Sequence, residues 1–316
     1  MTAADHTAAL PAQAEAQRRV VAFMAHASFE TARLAAGDLD ALTGLARGTP
    51  VYVSAVPARP LTEQIDTVAR IAAAGLEPVP HIAARGFASA AAFDRHLARL
   101  TEASVRRVLI IGGDQAGPTG PFHSGLEVIE SGLLQARRIV EIAVAGYPDG
   151  HRRLGPTELD RALMTKLEAA AATGLLVHIV TQFGFAAAPI RAWIARLRDQ
   201  GVDHKVRVGF AGPATLASLL RYARICGVTA SAQGLARQAG LAKPVFGLMA
   251  PDAVLRPIAD AAGELGDIAP HLYSFGGLAA AVRWAAAAAA GRIVLDHADG
   301  FTVEPPGGQD NQGRKP

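Results

Sequence analysis

Residues 156–210 read PTELDRALMTKLEAAAATGLLVHIVTQFGFAAAPIRAWIARLRDQGVDHKVRVGF. Pro156–Thr173 has helical spacing and stops at Gly174, a residue free to take the left-handed conformation that ends helices. Leu175–Thr181 is a near-continuous apolar run, the pattern of a strand buried on both faces of a parallel sheet. A second helical stretch, Pro189–Gln200, carries its proline in the first turn and Gly201 at its end. A second strand, Lys205–Phe210, follows. Helix, strand, helix, strand in one short segment is the unit of a parallel α/β fold.

The same alternation extends outward from this unit in both directions. The expected strands are Val20–Phe29, Val51–Val56, Glu77–Ala83, Arg107–Ile111, Glu141–Ala145, Leu175–Thr181, Lys205–Phe210 and His271–Phe275. The clearest further helices are Leu61–Ala74, Ser89–Leu100, Gly125–Arg138 and Gly277–Ala290, with Thr62 or Ser89 as caps and Gly75 as a stop. Eight repeats of strand then helix point to an α/β chain folded as a single (β/α)8 TIM barrel over residues 18–295. Residues 1–17 and 296–316 read as flexible segments, the tail being rich in Pro, Gly and polar residues. An open doubly wound sheet comes second, weakened by the lack of Gly-x-Gly-x-x-Gly after the first strand.

Composition narrows the function classes. The 316 residues suit one barrel with extensions, and half of them are hydrophobic, enough for a large core. No uniformly strong apolar run reaches the roughly 18 residues of a membrane span. The N-terminus lacks the charged-then-apolar pattern of a secretory signal. One cysteine, Cys226, excludes a disulfide framework, and a cytoplasmic location is the default expectation. The net charge of +3 arises from 31 basic and 28 acidic residues with no basic stripe, so neither nucleic acid nor a membrane is an expected partner.

In a β/α barrel the active site lies at the C-terminal ends of the strands. Several apolar runs end there in polar residues: Ser28-Phe29-Glu30, Gly112-Gly113-Asp114, Tyr147-Pro148-Asp149-Gly150-His151 and Thr181-Gln182-Phe183, with His81 inside the third run. Each has an ordinary structural reading. Glu30 reads equally as a solvated strand-end acid, and Asp114 as the cap of a glycine-rich turn. His81 and His26 fit satisfied core histidines, and His151 a loop residue. Gln182 is the least expected, because an amide directly after an apolar strand must find partners. Their convergence on one mouth favours a site.

Other chemistries are weaker. His81, His123, His151 and Asp114 show no ligand spacing, so no metal is expected. No Gly-x-Ser-x-Gly elbow is present, and Cys226 sits in a helical stretch as a structural residue. A Schiff-base barrel needs a lysine on a strand facing the mouth, whereas Lys166, Lys205 and Lys243 fall in or beside helices, loops or a strand start. Gly112–Gly120 could offer backbone N–H groups to a phosphate, a weak signal alone.

Ser28-Phe29-Glu30, Pro80-His81, Gly113-Asp114, Ala145–His151, Thr181-Gln182-Phe183 and His271-Leu272-Tyr273-Ser274 resemble, in order and position, the motifs of the methylenetetrahydrofolate reductases. The resemblance spans residues 20–290, and its Tyr-Pro-Asp-Gly-His and Thr-Gln-Phe segments are the most specific. It implies an enzyme in which NAD(P)H reduces FAD and the flavin passes hydride to 5,10-methylenetetrahydrofolate. It also implies roles: Glu30 as general acid, Asp114 as the acid beside flavin and pterin, and Gln182 as reader of the pterin edge. His81, Gly113, Asp114, Tyr147, His151 and, loosely, Lys166 take cofactor-contacting positions. The family is usually homo-oligomeric.

The departures matter as much. Glu30 is followed by Thr31-Ala32-Arg33, where the family has an aromatic and proline run, and the second strand ends Ser54-Ala55-Val56-Pro57. Gly112 stands where the family carries a flavin-contacting arginine. Three readings fit: FAD in a modified cradle, direct hydride transfer between nicotinamide and folate without flavin, or a relative that oxidises 5-methyltetrahydrofolate. A non-catalytic folate-binding barrel is a further alternative.

Overall fold

A computed structural model describes residues 3–57, 59–228, 247–296 and 300–304, with the side chains of residues 3–12 left out. Lys243 lies outside the described residues. Eight parallel strands close into a barrel in sequence order, each paired with its neighbours and β8 with β1. They are β1 (Ser28–Thr31), β2 (Pro50–Val53), β3 (Glu77–Ala83), β4 (Arg107–Ile111), β5 (Glu141–Gly146), β6 (Leu176–Thr181), β7 (Val206–Ala211) and β8 (Ile268–Tyr273). The single (β/α)8 barrel expected from the apolar runs is therefore the fold.

The first expected strand is the main correction. Val20–Met24 ends the helix α1 (Ala3–Met24), and β1 begins only at Ser28. Val20, Phe23 and Met24 are buried while Ala22 and Ala25 are exposed, a spacing of three to four that belongs to a helix face. An apolar run this long hides the change of period. The stretch read as a flexible N-terminal segment enters this helix, and Gln17 donates to the Gly291 carbonyl at 2.9 Å. Phe301–Val303, placed in the flexible tail, forms a strand antiparallel to Ile293–Leu295, and the Phe301 ring lies on Trp284. Residues 305–316 lie outside the described residues.

The helices follow the sequence closely. Ser89 caps α4 (Ala90–Glu102) by accepting from Ala92 N at 3.1 Å. Pro60, not Thr62, precedes α3 (Leu61–Ala73). Pro189 sits in the first turn of α8 (Ala187–Asp199). Gly75, Gly174 and Gly201 end helices at φ of 78°, 69° and 76°. The helix expected over Gly125–Arg138 breaks at Gly132 (φ 72°) into α5 (Gly125–Glu130) and α6 (Leu133–Ala136). The remaining α-helices among the described residues are α2 (Asp38–Leu42), α7 (Pro156–Ala172), α9 (Leu216–Cys226), α10 (Asp252–Asp260), α11 (Ala262–Leu265) and α12 (Leu278–Ala289). Among the described residues no helix is long and apolar enough to cross a membrane.

The main core lies between strands and helices; in α4 it takes Phe93, Leu97 and Leu100. Full burial of each such side chain contributes about 1.5–3 kcal/mol. Inside the barrel Tyr52, Val79, Leu109, Ala143 and Val180 pack together. Below them, Glu77, Arg107 and Glu141 open three adjacent strands, and Arg107 pairs with both acids. His178 Nδ1 lies 2.7 Å from Glu141, and its Nε2 lies 2.6 Å from the Tyr52 hydroxyl. This column forms the floor of the barrel, and the Tyr52 ring rises from it against His271, centroids 4.6 Å apart.

Candidate active site

At the mouth, Glu30 stands at the end of β1 with its side chain 12% exposed. The Ser54 hydroxyl, just past β2, donates to Oε1 at 2.7 Å. Oε2 faces two imidazoles: His271 Nε2 from β8 at 3.2 Å and His81 Nε2 from β3 at 3.4 Å. The Ser274 hydroxyl donates to the Glu30 carbonyl, fixing the strand end. Burial opposes ionisation of Glu30, but the His81 and His271 imidazoles outweigh it and hold the carboxyl well below the usual range. His271 moves the other way: it is fully buried, which disfavours its charged form although Glu30 favours it. We take Glu30 as ionised, because two ring nitrogens and a hydroxyl converge on its oxygens.

A cleft opens beside this carboxyl, on the β2–β4 side of the mouth. His81, Gly113, Asp114, Gln115, Phe87 and Ser54 are among the residues lining it. Asp114 is exposed at the start of the loop after β4. Arg85, in the turn after β3, anchors this loop: Nε donates to the His123 carbonyl at 2.9 Å, and Nη1 reaches the carbonyls of Gly113 and Gln115. A side-chain carbon on Gly112 would meet this guanidinium at 3.8 Å. Gly113 is required on two counts: φ is +93°, and a Cβ there would lie 2.7 Å from Gln115 Oε1. Among the described residues that oxygen is buried without a hydrogen-bond partner.

The other expected residues divide. Tyr147 and His151 touch each other beyond β5, rings 5.0 Å apart. Burial, with Asp114 nearby, pushes the Tyr147 hydroxyl up, and burial pushes His151 down. Both therefore flank the mouth, outside the cleft. Gln182 is half-buried, and its Oε1 accepts from Phe183 N at 3.1 Å, so its partner is the backbone of the next residue. Lys166 on α7 runs against Gly125 behind β4, away from the cleft, and burial depresses its ammonium. His26 is exposed on the floor side, where its carbonyl accepts from Arg207. Cys226, half-buried at the end of α9, has its thiol pushed up to about 11 by burial, with Glu30 and Asp114 adding to it. It is a thiol and no nucleophile at neutral pH. Among the described residues no group of three or more His, Cys, Asp or Glu could hold a metal ion.

Sequence reasoning missed Ser54, His271 and Tyr273 as site residues. Tyr273 donates to the Thr181 carbonyl at 2.9 Å and joins Phe183, Phe275 and Tyr222 in an aromatic wall on the β6–β8 side. Gly209 permits this approach, since a Cβ there would strike the Thr181 carbonyl at 2.4 Å and the Tyr273 ring at 2.9 Å. The signal available was alternation: His271 and Tyr273, two apart on β8, share the inward face.

The family model described as methylenetetrahydrofolate reductase matches residues 45–239, more than half of the chain. Similar solved structures include a putative phosphonomutase from Burkholderia cenocepacia J2315, at 13% identity and TM-score 0.45, covering 82% of this chain and 92% of that one. A phosphoenolpyruvate phosphomutase from Streptomyces platensis subsp. rosaceus matches at 14% identity and TM-score 0.41, covering 78% and 75%. A phosphonopyruvate hydrolase matches at 10% and 0.45, covering 85% and 82%. Likeness at this level carries no argument about chemistry.

Proposed function

The chain belongs to the methylenetetrahydrofolate reductase family, and on that premise we propose that it interconverts 5,10-methylenetetrahydrofolate and 5-methyltetrahydrofolate by hydride transfer with NAD(P)H. The observation that carries the reading is Glu30, a largely buried carboxyl between a hydroxyl and two imidazoles at the barrel mouth. Opening the methylene bridge leaves a nitrogen that needs a proton; Glu30, ionised in the free protein, would take one up as bound folate excludes water and pass it on, and a positioned acid contributes about 10²–10⁴-fold to such a step. Asp114, exposed at the rim, supplies the anion that favours the cationic iminium. Gln182 reads the pterin edge through its amide N–H groups, its oxygen being engaged by Phe183 N.

FAD is the proposed hydride carrier. His81, Gly113 and Asp114 on one side, with Tyr147 and His151 on the other, suit the edges of an isoalloxazine ring. A flavin there would accept hydride from nicotinamide and pass it to the folate. The phosphate end fits less well: Arg85 is engaged by three carbonyls, and Lys166 lies away from the cleft. That observation favours a second reading, direct hydride transfer from nicotinamide. The visible spectrum of the purified protein separates the two, since bound flavin absorbs near 450 nm, about the value of the free cofactor. Folate turnover left unchanged in Glu30→Gln would remove the function proposed for this site.

A further inference from the structure

We propose that Gln64, on the first turn of α3, is a positioning residue of this site: its buried amide ties the ends of β2 and β3 together and so sets Ser54 and His81 beside Glu30. For its effect on turnover, the inference rests on the reading above, in which Glu30 acts on folate.

The pairing of β2 with β3 runs from Pro50–Glu77 to Val53–Pro80 and ends there. Ser54 and His81 each come one residue after that last pair. Gln64 spans this point. It is 6% exposed, and its Nε2 donates to the Val53 carbonyl and to the His81 carbonyl, at 3.0 Å each. Only the nitrogen of an amide carries hydrogens, so two carbonyl acceptors fix which way the group is turned, and both N–H bonds are used. Its oxygen is buried without a hydrogen-bond partner among the described residues. That is a cost which an apolar side chain, like Ile65, Val68 and Ile71 on the same buried face, would avoid. Packing alone would favour an apolar residue here; the amide serves the two strand ends.

Both strand ends lead to Glu30. Ser54 follows Val53, and its hydroxyl donates to Oε1 at 2.7 Å. The Ser54 N–H is held from the other side, by the Thr31 carbonyl of β1 at 2.9 Å. The His81 ring stands 3.4 Å from Oε2 without a hydrogen bond to it, so its place is set by its packing and by its backbone, which Gln64 holds. His271, the third neighbour of the carboxyl, comes from β8, where its Nδ1 lies 3.0 Å from the Ser28 hydroxyl. Loss of the tether therefore loosens two neighbours of Glu30 and spares the third.

The full chain is compared with three variants. Gln64→Met keeps the length and drops both N–H groups, Gln64→Leu is a second apolar replacement, and Val68→Ala loosens the same face of α3 without touching the strand ends. The titratable groups around Glu30 are His81 on β3 and His271 on β8, with Tyr273 on β8 and Cys226 on α9 within electrostatic reach, and all three variants keep them. In ligand-free protein, the carbon-13 carboxyl signal of Glu30, assigned by its loss in Glu30→Gln, should titrate about one pH unit higher in both Gln64 variants than in wild type, and unchanged in Val68→Ala. The shift caused by Gln64→Met should shrink when Ser54→Ala is already present, because both changes then act through one hydrogen bond. In folate turnover, Gln64→Met should lose about tenfold in kcat with KM little changed, and Val68→Ala should lose little. An unshifted Glu30 titration in the Gln64 variants, an equal shift in Val68→Ala, or wild-type kcat in Gln64→Met each overturns the inference. If wild type itself turns over no folate, the reading above fails, while the titration, which uses no substrate, still decides the tether.

Discussion

The barrel carries two buried acid–imidazole clusters, one at its floor and one at its mouth, and they are built differently. On the floor, Glu141 is held by His178 and by Arg107, whose guanidinium also takes Glu77. At the mouth, Glu30 has two imidazoles and a hydroxyl. A guanidinium never gives up its proton near neutral pH, so the floor is electrostatically fixed. At the mouth no guanidinium or ammonium lies within ion-pair distance of Glu30 among the described residues, and its partners are two imidazoles and a hydroxyl beside an open cleft. Similar residue types thus brace one end and line a cleft at the other.

Breaking each end should separate these roles. The largest effect is expected from Glu30→Gln: folate turnover should fall about 10²–10⁴-fold, with the thermal midpoint little moved and reduction of any bound flavin by NAD(P)H largely intact. Stopped-flow kinetics beside calorimetry would show the split. Arg107→Met leaves two acids on either side of β4 without their shared cation and should lower stability by about 2 kcal/mol after allowance for partial exposure. Its kcat should stay near wild type, as measured by urea titration and steady-state assay.

How much of this contrast was legible in the sequence follows the physics of each position. The barrel could be read because strands buried on both faces appear as apolar runs that mark their own ends. Glu30 and Gln182 stood out because each ends such a run, and Asp114 because it follows the Gly112-Gly113 that closes one; the structure puts Glu30 at the mouth and Asp114 on the cleft, and turns the Gln182 oxygen to Phe183 N. Val20–Met24 misled because a buried helix end and a buried strand look alike when only Ala25-His26-Ala27 separates them. The floor went unread because Glu77, Arg107 and Glu141 each open a strand, where a charge normally meets water; only the register of β3, β4 and β5 makes them neighbours. His271 was hidden in an apolar strand, its role set by Ser28 far away in the chain.

A smaller effect sharpens the comparison further. Burial works to raise the Glu141 carboxyl, but His178 and Arg107 lower it to about 2, below its ordinary 4.5. A depressed carboxylate stabilises the fold above its ordinary value and loses that contribution as pH falls from 4.5 towards 2. Discounted for exposure, the loss should be about 1–2 kcal/mol, flattened in Glu141→Gln, and read by denaturant midpoints across that window. The smallest effect is expected of Tyr52→Phe, which removes the hydrogen bond to His178 and should cost about 1 kcal/mol with turnover unchanged. A fall in turnover there would mean that floor and mouth communicate.

Tyr52 explains why they should not. Its hydroxyl points down to His178 and its ring lies edge-on to His271, while burial pushes its own ionisation far up. Between the two clusters, then, stands a disc of carbon with no exchangeable hydrogen on its upper side. The barrel axis is insulated at its middle like a bulkhead in a hull. Deuterium bound for Glu30 from heavy water is therefore expected to enter from the cleft, whereas charge is felt through the ring, since Arg207 acts on both His178 and His271.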